Sequence, residues 1–253
     1  MRILRVLRQG KTFYASLQDR ELICLDKSLG ITSPLALTEV RVLPPVAPSK
    51  VVGVVLNSRS LAKQQDMEPP RHPELFLKPP SALISPGDSV VLPAGVGQVM
   101  LEGQLALVMG RTARRIAVQD VPEHLFGYAC AADITAWDYA MHQGGLTGAK
   151  AFDTFLPLGP WIETEAPDLA ELKISVLLNS QPVAESTLEE LILTPWELVA
   201  AVSRIMTLNP GDVVLCGATP ARCWIAAGQE ARVDIAGVGL LINPVMSDPG
   251  LVQ

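Results

Sequence analysis

Glu102 and Gln104 stand two residues apart inside the otherwise apolar run 101–109. Side chains along a strand alternate between faces, so both are expected on one side of a sheet that otherwise favours burial. An ionised carboxylate taken out of water needs a partner cation or several hydrogen bonds. A hard divalent cation held by oxygen ligands is one such compensation, and Asp133, in the segment Asp133-Ile134-Thr135-Ala136, is the obvious third ligand. The pattern by itself also accommodates a half-buried strand with one exposed Glu and one exposed Gln.

A chain of 253 residues is long enough for one large core, or one core plus a small attachment. Hydrophobic residues at 49% and charged residues at 18% describe a soluble globular protein, and a formal net charge of −6 leaves no footprint for nucleic acid. The run 188–206 is broken by Pro195, Trp196-Glu197 and Arg204, so no membrane span is expected. Residues 1–10 mix Arg2, Arg5 and Arg8 into their apolar positions, unlike a signal peptide, which makes the cytoplasm the expected location. Cys24, Cys130, Cys216 and Cys223 are dispersed without Cys-x-x-C spacing, which argues against a zinc site or a disulfide framework.

Residues 1–46 read as a small strand-rich unit. Thr12-Phe13-Tyr14-Ala15 and Glu21-Leu22-Ile23-Cys24-Leu25 flank a polar turn at Gln18-Asp19-Arg20, and the stiff connector Pro44-Pro45-Val46-Ala47-Pro48 marks the boundary to residues 47–253. The continuous apolar run 51–56 suits a strand buried on both faces, and the polar segment 58–67 after Asn57 is expected as a short helix or lid. Residues 172–178 alternate and turn at Asn179-Ser180-Gln181-Pro182 into a hairpin. Thr194-Pro195-Trp196-Glu197 is a helix start, with Thr as cap, Pro first and Glu returning to the cap amide. Residues 231–235 and 238–243 read as two closing strands separated by Ala236-Gly237.

The order Leu56-Asn57, Phe76-Leu77-Lys78-Pro79-Pro80, Glu102-x-Gln104-Leu105-Ala106, Phe126-Gly127-Tyr128, Asp133-Ile134-Thr135-Ala136, Lys150-x-Phe152-Asp153-Thr154-Phe155 and Gly217-x-Thr219-Pro220 resembles the fumarylacetoacetate hydrolase family. The resemblance implies a mixed α+β, strand-rich fold, a β-sandwich or roll with a few packed helices and the small N-terminal β unit in front. It also implies a metal site at Glu102, Gln104 and Asp133, with Lys150 stabilising developing negative charge beside the cation. Thr219, Lys78 and Asn57 are the implied substrate contacts, although Lys78 read alone is equally well a solvated strand lysine. Magnesium is the expected cofactor, with calcium or manganese as alternatives.

Several positions depart from the family pattern. Its hydrolases carry a tyrosine directly after the asparagine, a histidine three residues later and an acid three beyond; here those places hold Ser58, Leu61 and Gln64. The general-base contribution of about 10²–10⁴-fold is then missing from this segment. His72, His124 and His142 lie elsewhere, with His142 expected at the surface. Gln104 replaces a glutamate, and a unit charge at short range is worth about 4 kcal/mol at an effective dielectric of about 20, so weaker metal binding is expected. Trp137 and Ala140 stand where relatives often have an arginine and a glutamine, which makes the pocket more apolar.

The resemblance implies a divalent-metal-dependent isomerase/decarboxylase or C–C hydrolase acting on a 2-oxo or 2,4-dioxo carboxylic acid, as in aromatic catabolism. Loss of the dyad shifts the expectation away from hydrolysis, which needs an activated water, towards chemistry that needs an electron sink. Leu56-Asn57-Ser58-Arg59-Ser60 and Ala218-Thr219-Pro220-Ala221-Arg222 resemble the less catalytic half of the two-part isomerase/decarboxylase of homoprotocatechuate breakdown. The alternative is therefore a catalytically silent subunit that pairs with an active paralogue. The expected partners are a small 2-oxo acid and either a second copy, as a homodimer, or that paralogue.

Overall fold

The computed structural model describes residues 1–70, 72–165, 168–169, 171–217, 220–248 and 250, with the side chains of residues 143 and 144 outside that set. Two β-sheets face one another. The larger runs in the order Leu35–Ala36, Glu21–Cys24, Lys11–Gln18, Arg2–Arg8, Leu156–Glu163, Leu125–Ala136, Val99–Met109, Val213–Leu215, Val51–Val54 and Leu75–Lys78. The smaller runs Gln181–Thr187, Lys173–Leu178, Glu230–Ile235, Gly239–Ser247 and Val90–Leu92. The architecture is the strand-rich α+β arrangement with few helices that the resemblance implied.

Strand Val99–Met109 is central, and every one of its residues is buried. Its odd-numbered side chains, Leu101, Leu105 and Leu107, belong to the core between the sheets. Gly103 lies on that face because a Cβ there would press into Val176, Ile174 and Val233 of the opposing sheet. The even-numbered side chains point away, and Ala106 and Val108 join a second cluster with Val51, Phe76, Ala129 and Ala131. The apolar even positions thus share a surface with Glu102 and Gln104.

The N-terminal strands have their own apolar cluster, with Leu4, Val6, Phe13, Ala15, Leu22 and Leu35 at its centre. They are not hydrogen-bonded apart from the rest: Arg2 and Ile3 pair with Glu163 and Ile162, which makes one continuous sheet. The hairpin turn after Lys11–Gln18 uses positive φ at Asp19 and Arg20, of 46° and 72°. Strand Arg2–Arg8, with an arginine at every third position, the first exposed and the other two half-buried, is an element the apolar pattern did not signal.

Helix Pro195–Ile205 has the capping box read from its sequence. The Glu197 amide donates to Thr194 Oγ1 at 3.3 Å, and the Thr194 amide donates to Glu197 Oε2 at 2.9 Å. Leu198, Val199 and Val202 bury its inner face. The segment after Asn57 is helix Arg59–Gln64, capped by Ser58, whose hydroxyl accepts from the Leu61 amide at 3.2 Å. No helix among the described residues is long and apolar enough to cross a membrane.

Candidate active site

The site is built where the central strand meets its neighbours in register. Glu102 is opposite Asp133 on one side and opposite Arg222, in strand Arg222–Ile225, on the other. Directly opposed residues point to the same face, so an anion is flanked by an anion and a cation across three strands. The chain then leaves the Leu125–Ala136 strand as a run of short helical segments, Trp137–Tyr139, Ala140–Gly144 and Gly145–Lys150, which folds back and delivers Lys150 over this row.

The Lys150 ammonium donates to Asp133 Oδ2 at 2.6 Å and to Thr135 Oγ1 at 2.8 Å, and reaches Glu102 Oε2 at 3.4 Å. It also lies 4.4 Å above the Phe76 ring, a cation–π contact that favours the charged form. Lys78 is fully buried. Its ammonium donates to the backbone carbonyls of Ile134 (2.9 Å), Lys150 (2.7 Å) and Phe155 (2.9 Å) and faces Asp133 Oδ1 at 3.0 Å. A lysine has three N–H groups, and the carbonyls take all three. Asp133 Oδ1 is left with an ion pair and no hydrogen of its own.

The two carboxylates are pushed in opposite directions. Burial drives Glu102 above the ordinary carboxylate range, and Lys150 and Arg222 only partly pull it back. Burial acts on Asp133 as well, but Lys150 and Lys78 outweigh it and hold that carboxyl below its usual value. Burial lowers Lys150, yet Asp133 and Glu102 more than restore it, so its pKa is raised. Burial dominates at Lys78, where the pKa falls to about 8.

The structure brings Glu102, Gln104, Asp133, Lys78 and Lys150 together, but three of the expected residues are committed elsewhere. Gln104 Oε1 accepts from the Gly217 amide at 3.0 Å, and Gln104 Nε2 donates to Asp133 Oδ2 at 3.0 Å. A backbone amide can only donate and an ionised carboxylate can only accept, so the amide orientation follows from chemistry. Gln104 therefore turns N–H groups, not its oxygen, towards Asp133. Lys78, an expected substrate contact, braces the backbone and is not among the residues lining the cavity. Asn57 is likewise a clamp: its Nδ2 donates to Leu193 O and Cys216 O, and its Oδ1 accepts from the Leu193 amide. Thr219 lies outside the described residues.

The donor set, as arranged, does not fit a divalent cation. Two carboxylates face two ammonium groups, with Arg222 beside Glu102, so no surplus negative charge remains to offset a doubly charged ion. Both Asp133 oxygens already face cations, and the Gln104 oxygen is taken. Of the expected ligands Glu102, Gln104 and Asp133, the last two thus have their oxygens engaged by protein groups in this arrangement. Gln104→Glu, which restores a third anion, is expected to bind manganese or magnesium at least tenfold more tightly than the wild type in calorimetric titration. Equal affinities would defeat the charge argument.

Above the charged row opens a cavity of about 240 Å³. Glu102, Thr135, Lys150 and Arg222 form its polar end, and Leu61, on the helix after Asn57, is part of its wall. Arg222 was not foreseen as a site residue; its one signal was a basic side chain on a segment reading as the family's Gly-x-Thr-Pro region. His142 is exposed and does not line the cavity. The thiols are uninvolved: burial pushes Cys130 and Cys216 well above the ordinary thiol range, and Cys223 to about 11.

A family model described as fumarylacetoacetate (FAA) hydrolase, C-terminal, matches residues 50–246. The mitochondrial oxaloacetate tautomerase of Rattus norvegicus is 34% identical over 221 residues, 83% of this chain and 70% of its own length. Among solved structures, 5-carboxymethyl-2-hydroxymuconate delta-isomerase from Mycobacterium smegmatis superposes with a TM-score of 0.88 at 31% identity, covering 99% of this chain and 100% of that one. Maleylpyruvate hydrolase from Sphingobium sp. SYK-6, solved with manganese(II) and pyruvate, gives a TM-score of 0.82 at 27% identity, covering 98% and 99%.

Proposed function

The chain belongs to the fumarylacetoacetate hydrolase family, and on that premise we propose that it interconverts the keto and enol forms of a small 2-oxo carboxylic acid, an isomerase reaction with no metal ion in the step. The observation that carries this reading is the opposed perturbation of two neighbouring carboxylates bridged by one ammonium. Environments that separate the pKa values of paired groups assign them different roles. Glu102, raised and at the cavity wall, is the group that takes and returns a proton. Asp133, held ionised, keeps Lys150 charged and in place.

In this reading the substrate carboxylate pairs with Arg222 and the 2-oxo oxygen turns towards Lys150. Glu102 removes the proton from the carbon next to the carbonyl, and the electron pair moves to oxygen as an enolate. The Lys150 N–H that reaches Glu102 at 3.4 Å is its longest contact and the one most easily turned to that oxygen. The proton on Glu102 then passes to the enolate oxygen, which gives the enol and regenerates the carboxylate. Thr135 and Asp133 retain the other two hydrogen bonds of the ammonium.

Hydrolysis finds no support in the segment after Asn57. Ser58 caps a helix, Leu61 is a buried wall residue and Gln64 is exposed, so nothing there activates water. Names among the relatives include a tautomerase and an isomerase, consistent with enol chemistry. The test is to follow loss of enol absorbance after adding an enolised 2-oxo acid, with and without EDTA. Turnover unaffected by the chelator is expected. Abolition by EDTA would overturn the metal-free step, and turnover no faster than in buffer would favour a silent subunit instead.

A further inference from the structure

We infer that the site selects a 2-oxo acid with one carboxylate and an apolar alkyl or aryl tail, in preference to a 2-oxo dicarboxylate; this rests on the function proposed above. Among the described residues, the two cations that line the cavity, Lys150 and Arg222, stand at its polar end, on or over the charged row of the sheet. Beyond them, the other ionisable groups lining it among the described residues are Glu102, in that same row, and Glu74, an exposed anion at the start of strand Leu75–Lys78. Among the described residues, a second carboxylate on the substrate would therefore leave water to face apolar walls, the neutral Gln65 amide and a like charge, with no further lining cation to receive it. Desolvating an unpaired anion is unfavourable, whereas an apolar tail gains from the same transfer.

The walls suit such a tail. Leu61, Met67, Trp137, Met141 and Leu146 line the cavity from two separate segments. Trp137 is held edge-on against Trp224, with centroids 6.2 Å apart, and its amide donates to Gln98 O at 2.8 Å, so the indole is a positioned wall. Met67 and Met141 are more than half exposed at the rim, where flexible thioethers adapt to tails of different shape. Leu61 and Trp137 are also two of the positions where this chain departs from the pattern of its family, and both departures replace a polar group with an apolar one.

The experiment titrates the full-length protein with pyruvate, phenylpyruvate and oxaloacetate, read by quenching of tryptophan fluorescence and by calorimetry. Phenylpyruvate is expected to bind at least tenfold more tightly than oxaloacetate, with pyruvate measurably bound. Met141→Arg, a change at an exposed rim position, is expected to narrow or reverse that ratio by supplying the missing cation. Oxaloacetate binding as tightly as phenylpyruvate to the wild type would overturn the inference while leaving the proposed reaction intact. Failure of all three to bind would overturn both. A ratio that Met141→Arg leaves unchanged would place the tail elsewhere and overturn the assignment of the wall.

Discussion

Glu102→Gln is expected to lower kcat for tautomerisation by about 10²–10⁴-fold, the usual contribution of a positioned acid–base group, while leaving the protein at least as stable as the wild type. Both halves follow from one observation. Glu102 is buried, and its carboxyl is raised above the ordinary range because the loss of water is only partly offset by Lys150 and Arg222. A folded-state pKa above the unfolded value means that the folded protein holds this proton more tightly. Ionising Glu102 therefore works against the fold, and this unfavourable contribution grows as pH rises from about 4.5 through the raised pKa. Glutamine mimics the protonated form and removes the contribution, so the stability difference between variant and wild type should shrink at acid pH. Chemical denaturation at several pH values beside steady-state rates checks both halves. A variant that keeps its rate would remove Glu102 from the reaction, and one that unfolds readily would make it a structural ion pair.

Asp133→Asn should do the opposite to stability, with a loss of about 3–5 kcal/mol, the cost of removing one partner from a buried charged cluster. Asp133 accepts from Lys150 and Gln104 on one oxygen and faces Lys78 on the other, and no part of it is exposed. Its folded-state pKa lies below the unfolded value. The stability that ionised Asp133 contributes is therefore fully present above about pH 4 and is lost as pH falls through the depressed folded pKa. Asparagine cannot imitate this group, because its NH₂ would meet either an ammonium or the amide N–H of Gln104. Two buried cations would then share one remaining carboxylate, Glu102. Urea unfolding measures the loss. Adding Lys150→Met, which removes the surplus cation, should recover part of it, with a coupling of roughly 0.5–3 kcal/mol in a double-mutant cycle. A stability equal to wild type for Asp133→Asn would mean that the backbone carbonyls satisfy Lys78, and Thr135 and Glu102 satisfy Lys150, without the Asp133 charge.

Local signals in the sequence were enough for much of the frame. The two-residue spacing of Glu102 and Gln104 placed both on one sheet face, since the strand period is fixed by backbone geometry. Thr194 and Glu197 announced their helix because the capping box joins residues three apart. The turns at Asn179-Ser180 and Ala236-Gly237 were readable because a tight reversal with positive φ restricts which residues can make it. The apolar character of the cavity wall was legible in part, in Leu61 and Trp137 standing where polar groups were expected.

Tertiary structure alone decided what each polar side chain does. That Arg222 sits opposite Glu102 is a matter of strand register between segments far apart in the chain, and no local pattern specifies it. Lys78 and Asn57 carried the right chemistry for substrate contacts, but backbone groups of Ile134, Lys150, Phe155, Leu193 and Cys216 claim them first. Gln104 had an oxygen to offer a cation, and the Gly217 amide takes it. Every residue except proline carries the same backbone donor and acceptor. An amino-acid sequence therefore records which side chains seek partners, while only the folded chain determines which carbonyl or amide reaches them.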